Sequence, residues 1–180
     1  MSNILDVLQN CVEARHLIDV YRSFDLEETI TGFVEQISDE LACLVKIDED
    51  GSFDGRVVFK IETISRIRRD NTQLQLITSL MKKKPMPTLS KIDMSSFLTV
   101  MENLNRDCGY VSLYQEGLDA EVCFIGQLQK TGEFLQLHEY GSLDEMNRSF
   151  LILRYDDTTR VEAGGKYENN LVQTYKVYQN

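Results

Sequence analysis

The chain carries one short pattern twice, and this repeat constrains the fold more than any other feature. IETISRI occupies 61–67 and YDDTTRV occupies 155–161, so the two stretches are offset by 94 residues. Gly32 matches Gly126 at the same offset. Because the apolar register is recovered after loops of unequal length, the sequence predicts a duplicated module.

Each copy begins with a helical pattern and continues with short strands. Apolar residues spaced i, i+1, i+4 from Ile4 and from Phe97 predict an amphipathic helix of about three turns in each copy. About five strands follow, and the second contains the matched glycine, where we expect a sharp bend. The predicted strands lie in LIDVY, ETITGFVEQI, LACLVKI, RVVFKI and IETISRI, and in YVSLY, EVCFIGQLQK, FLQLHEY, SFLILR and YDDTTRV. The pattern predicts a mainly β fold with short helices.

This arrangement resembles the Sm-like (LSM-type) family of small β-barrels, which have an N-terminal helix and a bent five-stranded sheet. ITGFVEQISDELACLVKID (30–48) is similar to the first half of the family signature, with Gly32 and Asp39 in the expected places. GQLQKTGEFLQL, from Gly126, is a weaker match. The resemblance implies two tandem Sm-like five-stranded bent-sheet barrels, each preceded by an N-terminal helix.

The repeats are separated by a stretch that contains both prolines of the chain. KKKPMPTLS breaks regular structure through Pro85 and Pro87. We therefore expect a first repeat at 1–78, a linker at 79–92 and a second repeat at 93–180. The residues before the prolines, through Leu80, predict a short helix or strand.

The chain departs from the family at the positions that bind RNA. Family members that bind RNA carry an asparagine soon after the aspartate, and an Arg-Gly in the turn after the fourth strand. Ala42 or Cys43 stands at the first position here, and Gln136 in the second copy, while FKIETI and ILRYDD carry acids in place of Arg-Gly. The resemblance therefore implies the fold and argues against uridine-type RNA binding.

One basic stretch nevertheless offers an alternative nucleic-acid contact. Its members are Arg66, Arg68, Arg69, Lys82, Lys83 and Lys84. The formal net charge of the chain is −10, and neither half is basic. We therefore interpret the arginines first as charges that protect an edge strand from pairing, and the lysines as part of a polar linker. RNA binding would need this patch to outweigh the acidic surface, and Phe59 is the one aromatic residue evident near it.

No residue set predicts catalysis, a cofactor or a metal. The four cysteines form no C-x-x-C pair and have apolar neighbours, which predicts buried, reduced thiols. Two unrelated histidines give no zinc spacing. Tyr21 and Tyr114 recur at matched positions, as do Arg66 and Arg160; we interpret both pairs as structural, with a shared ligand site as the alternative.

We expect a non-enzyme, because the sequence offers no convergent catalytic set. We expect a cytoplasmic location, because no apolar run reaches the roughly 20 residues of a membrane span and the N-terminus lacks a basic leader. The first hypothesis is a protein-interaction or assembly module, which pairs with a protein partner or with itself through open sheet edges. The second is an RNA-binding regulatory protein that uses the basic stretch.

Overall fold

The computed structural model describes residues 3–25, 27–141 and 148–178. The chain divides into two compact units, Met1–Ser90 and Lys91–Asn180. Each unit contains an N-terminal helix, five antiparallel strands and a second helix. The expected mainly β fold with short helices is confirmed.

The first unit contains α1 (Ile4–Ala14), β1 (Leu17–Arg22), β2 (Ile30–Ile37), β3 (Leu41–Ile47), β4 (Phe53–Lys60), β5 (Ile64–Arg69) and α2 (Thr72–Met81). The strands lie in the order β5-β1-β2-β3-β4. A single 3-10 turn, Ile61–Thr63, carries the chain from β4 to β5, which then pairs with β1.

Two helices cover opposite faces of this sheet because successive strand residues alternate in direction. Leu8 of α1 packs in a cluster with Ile18 and Val20 of β1. On the other face, Leu74 and Ile77 of α2 pack in a cluster that includes Leu17 and Val45. Helix α2 extends through Met81, so the first residues of the predicted linker at 79–92 are helical.

The second unit repeats this plan with α3 (Phe97–Cys108), β6 (Val111–Tyr114), β7 (Cys123–Lys130), β8 (Phe134–Tyr140), β9 (Arg148–Arg154), β10 (Arg160–Ala163) and α4 (Lys166–Tyr178). The strand order is β10-β6-β7-β8-β9. Helix α3 buries Phe97, Val100, Met101 and Leu104. Helix α4 contributes Leu171, Val172 and Tyr175 to a cluster with Tyr110 and Tyr140.

The prediction of two Sm-like five-stranded bent-sheet barrels is not confirmed. In each unit the fifth strand pairs with the first strand, and the described parts of the fourth and fifth strands are not hydrogen-bonded to each other. Each five-strand set is therefore an open antiparallel sheet. Both units have a register shift in the second strand, between Val34 and Gln36 and between Leu128 and Lys130, which bends the strand without closing the sheet.

The backbone register is the same in the two units, as duplication requires. Gly32 lies opposite Ile18, and Gly126 lies opposite Val111. The turn after the fourth strand also repeats: the Ile61 amide donates to the Glu40 carbonyl at 2.8 Å, and the Tyr155 amide donates to the Glu133 carbonyl at 3.0 Å.

The two matched glycines allow close backbone contact with the third strand. A Cβ atom placed on Gly32 would lie 2.3 Å from the Val45 carbonyl oxygen, and one on Gly126 would lie 2.7 Å from the His138 carbonyl oxygen. Neither oxygen belongs to a flexible side chain, so any larger residue must displace the ladder.

We expect Gly32→Ala and Gly126→Ala each to lower the free energy of unfolding by about 1–3 kcal/mol, the usual cost of overpacking. Urea titration of the full chain measures this. Gly109→Ala is the matched control: it has a positive φ of 78° but no neighbouring atom within 4 Å, so it costs about 1 kcal/mol. A cost at Gly32 or Gly126 no larger than at Gly109 would contradict the close-contact explanation.

Candidate interaction surfaces

The basic strand β5 lies at one side of the first sheet and pairs only with β1. Arg66 lies opposite Tyr21 in the ladder, and its guanidinium carbon is 3.8 Å from the centroid of that ring. The Arg68 guanidinium carbon is 5.3 Å from the same centroid. Both arginines are exposed, whereas Tyr21 is buried beneath them.

The aromatic neighbour expected from the sequence was the wrong one. Phe59 is fully buried in the core, with the Arg22 guanidinium 5.5 Å from its ring centroid. Tyr21 is the aromatic residue beside the arginines, because β1 pairs with β5 in the sheet although the two strands are distant in sequence. A cross-strand neighbour of this kind depends on register, which local spacing does not give.

The arginines and the lysines of the basic stretch do not form one patch along the chain. Helix α2 separates them, and its ten residues span about 15 Å. Lys82, Lys83 and Lys84 are exposed beyond the helix, and the Lys84 ammonium lies 3.1 Å from an Asp50 carboxylate oxygen. Arg69 lies 3.5 Å from Asp70. Local acids thus offset part of the basic charge.

A polar cavity of about 390 Å³ adjoins Arg68 in the first unit. Its ionisable lining comprises Asp19, Tyr21, Lys46, Asp48, Glu49, Asp54 and Arg68. Four carboxylates thus accompany two cations. A phosphate-bearing ligand would be repelled by most of this lining.

In the matched Tyr–Arg pair of the second unit, Arg160 is buried and Tyr114 is half-buried. Arg160 lies opposite Tyr114, with its guanidinium carbon 3.7 Å from the ring centroid. Its Nε atom lies 3.4 Å from Glu116 and 3.3 Å from Glu162, and all three side chains are almost completely buried. The pKa of Tyr114 is raised far above its ordinary value, mainly by burial and next by the nearby Glu162 carboxylate. These contacts support a structural role for both recurring pairs.

The two copies give a matched test of this role. Arg160→Met removes the cation from two buried carboxylates, and we expect a loss of about 3–5 kcal/mol in the free energy of unfolding. Arg66→Met removes an exposed cation–π contact and should cost about 0.5–1 kcal/mol. Both values come from urea titration of the full chain. Equal costs for the two variants would contradict the assignment of Arg160 to the core.

Strand β9 lies at one side of the second sheet and exposes apolar side chains. Among the described strands it pairs only with β8, so the other side of its backbone lacks a described strand partner. Phe150 is 65% exposed and Ile152 is 68% exposed, and Phe134 on β8 is 45% exposed. The His138 ring stacks on Phe150 with centroids 4.6 Å apart. An exposed apolar edge strand is a template for pairing with another strand.

Arginines stand at both ends of this apolar row. Arg148, Phe150, Ile152 and Arg154 share one face of β9 because strand residues alternate. The Arg154 guanidinium lies 3.6 Å from Glu133 and 5.0 Å from the Phe134 ring centroid. We call the exposed face formed by β9, Phe134 and His138 the β9 surface.

Arg148 has carbonyl and ring partners in place of a carboxylate. It donates to the His138 carbonyl at 3.0 Å and to the Gln127 side chain at 3.3 Å, and its guanidinium carbon lies 4.1 Å from the Tyr140 ring centroid. Among the described carboxylates, none forms an ion pair with it. Partial burial and the Arg148 charge lower the pKa of His138, which keeps that ring neutral at pH 7.

A shallow cavity of about 290 Å³ adjoins the β9 surface at the turn between β7 and β8. Phe134, Leu135 and Ile152 supply apolar lining, and Lys130 and Glu133 supply charge. The cavity offers a recess for a side chain of a strand laid along β9.

Sequence reasoning missed the β9 surface. The run FLIL within SFLILR is continuous, and such a run indicates a strand that is buried on both faces. The arginines at either end of RSFLILR are the one local signal of an edge, since charged residues often border exposed strands.

The described ranges do not support a metal site, a membrane-spanning helix or a disulfide. They contain no cluster of three or more histidine, cysteine or acidic residues that could hold a metal. None of their helices has both the length and the apolar character that a bilayer span requires. All four cysteines are described, and none forms a disulfide. Cys11 and Cys43 are buried as expected, but Cys108 is exposed at the end of α3, so the burial prediction was wrong for that residue.

Cysteine labelling tests these environments. Burial, followed by the nearby Glu35 carboxylate, raises the pKa of Cys43, and burial also raises the pKa of Cys11 and Cys123. We expect iodoacetamide to label Cys108 first in the native chain, as detected by mass spectrometry, because thiolate content and access set the rate. Cys108→Ser should remove the fast phase. Fast labelling of native Cys43 would contradict the structure.

Comparison with protein-family models, with curated proteins and with solved structures finds no match. The Sm-like resemblance therefore stays a prediction.

Proposed function

We propose that this chain is a non-catalytic protein-interaction module of two Sm-like units, which acts by pairing its β9 edge with a strand of another chain. The Sm-like interpretation is supported by the N-terminal helix of each unit, the five antiparallel strands and the matched glycine of the second strand. The register shifts in β2 and β7 are consistent with bent sheets.

The observation that carries the proposal is the exposure of Phe150 and Ile152 on a strand with only one neighbour. Fully burying an apolar side chain of this size contributes about 1.5–3 kcal/mol. A strand added to β9 would also satisfy the edge hydrogen-bonding groups of the backbone. Such an edge supports binding to a protein chain without any catalytic group.

Capture from the native cell tests the proposal. The tagged chain of residues 1–180 should retain protein partners after nuclease treatment, and Ile152→Lys should lose them because a charge replaces the apolar contact. Leu118→Lys is the matched control, since Leu118 is 71% exposed and lies outside the β9 surface. Partners retained equally by both variants would contradict the role of β9.

RNA binding through Arg66, Arg68 and Arg69, with the lysines after α2, is the second candidate. Its specific support is the exposed pair of arginines stacked on Tyr21 at the edge of the first sheet. The acidic cavity beside Arg68 and the net charge of −10 weigh against it.

Fluorescence anisotropy with labelled single-stranded RNA at two salt concentrations separates the two candidates. The protein-interaction proposal predicts no binding at low salt. Salt-sensitive binding that is lost in Arg66→Ala/Arg68→Ala/Arg69→Ala would instead favour RNA, because phosphate contacts release counterions. Ile152→Lys serves as the control that should leave such RNA binding unchanged.

A further inference from the structure

We infer that the β9 surface accepts an extended strand from a different protein, with acidic side chains on either side of an apolar pair. The inference rests on the proposed function, because it names the kind of strand that the same edge binds. The required pattern is acid-x-apolar-x-apolar-x-acid.

The pattern follows from the order of side chains on β9. Arg148, Phe150, Ile152 and Arg154 occupy alternate positions, so they form one row on one face. In an added strand, residues directly opposite would lie about 4.5–5.5 Å away between Cβ atoms. Apolar side chains opposite Phe150 and Ile152 would bury both, and acidic side chains opposite the arginines would form cross-strand ion pairs.

Charge complementarity with Arg148 and Arg154 favours a partner strand that has acidic side chains at both ends. No described carboxylate pairs with Arg148, while Glu133 pairs with Arg154 through an exposed contact of 3.6 Å. Lys130 adds a further cation beside Ile152 at the cavity. The pKa of His138 is lowered, so this ring adds little positive charge at pH 7. Glu133 lines the same cavity, and Glu139 accepts from Ser149 of β9 at 3.0 Å, so the excess positive charge lies in the row from Arg148 to Arg154.

The same charges disfavour a second copy of this chain as the occupant. Antiparallel pairing of β9 with itself over its full length places Arg148 opposite Arg154 at both ends. Strand β5, at one side of the first sheet, would bring Arg66 and Arg68 on one face of its own. Like charges directly opposite each other are destabilising in a ladder.

Fluorescence anisotropy measures peptide binding to the full chain and so tests the inference. The probes are capped peptides Glu-Thr-Val-Thr-Val-Thr-Glu and Lys-Thr-Val-Thr-Val-Thr-Lys, each with a fluorophore. We expect the glutamate-ended peptide to bind about tenfold more tightly at low salt, because two exposed ion pairs replace two repulsions. The preference should shrink at high salt, which screens exposed charges.

Variants locate the effect. Arg148→Glu/Arg154→Glu should reverse the preference, so that the lysine-ended peptide binds more tightly. Arg154→Glu alone, at a side chain that is half exposed, should abolish most of the preference and guards against misfolding of the double variant. Leu118→Lys should bind both peptides as the wild type does, and Ile152→Lys should weaken both.

The outcomes separate this inference from the proposed function. Equal binding of both peptides that Ile152→Lys weakens would overturn the charge pattern and leave the β9 edge as the binding site. A dimer in sedimentation that Ile152→Lys dissociates would overturn the choice of occupant in favour of a second copy. Peptide binding and cellular capture that are both unchanged in Ile152→Lys would overturn both proposals.

Discussion

The close backbone contact between the second and third strands of each unit is the constraint on which the rest of the structure depends. Gly32 and Gly126 lie where a Cβ atom would collide with a carbonyl oxygen of the neighbouring strand. Glycine at these positions lets β2 pass close to β3 and β7 pass close to β8. The Tyr–Arg pairs and the β9 surface lie on the other strands that pair in the same two sheets.

The two units show how one backbone plan holds different chemistry. The arginine of the Tyr–Arg pair at the same register position is exposed in the first unit and buried with two carboxylates in the second. A buried charge is tolerated only when an opposite charge pairs with it, and in the second unit Glu116 and Glu162 pair with the buried Arg160. The first unit leaves Arg66 exposed, and charge on its edge strand discourages pairing with other strands. The β9 edge has an apolar centre and no such protection there.

The sequence predicted the repeat, the order of helix and strands and the matched positions of the glycines, because these depend on local periodicity and on apolar register. It predicted a sharp bend at the glycines, whereas the register shifts lie two or more residues beyond them and the glycines allow close backbone contact. It did not predict the open strand order, because the pairing of the fifth strand with the first is a long-range property. The bent-sheet barrel was an implication of the Sm-like resemblance, and no physical signal in the residues required one.

Local sequence patterns could not identify the β9 surface either, because its exposure depends on the strand order. SFLILR has the composition of a buried strand, and only the position of β9 at the end of the sheet order leaves Phe150 and Ile152 exposed. The basic stretch, which the sequence made conspicuous, is divided by α2 and partly offset by Asp50 and Asp70. A burial pattern depends on neighbours in space, and those are set by the strand order.

Amide hydrogen exchange tests the central claim, that β9 is the edge at which this chain binds a protein. The full chain would be measured alone and in the complex recovered from its own cell. Strand pairing at β9 predicts slower exchange at 148–154 in the complex and no change at 64–69. Slower exchange confined to β5, with β9 unchanged, would contradict the account.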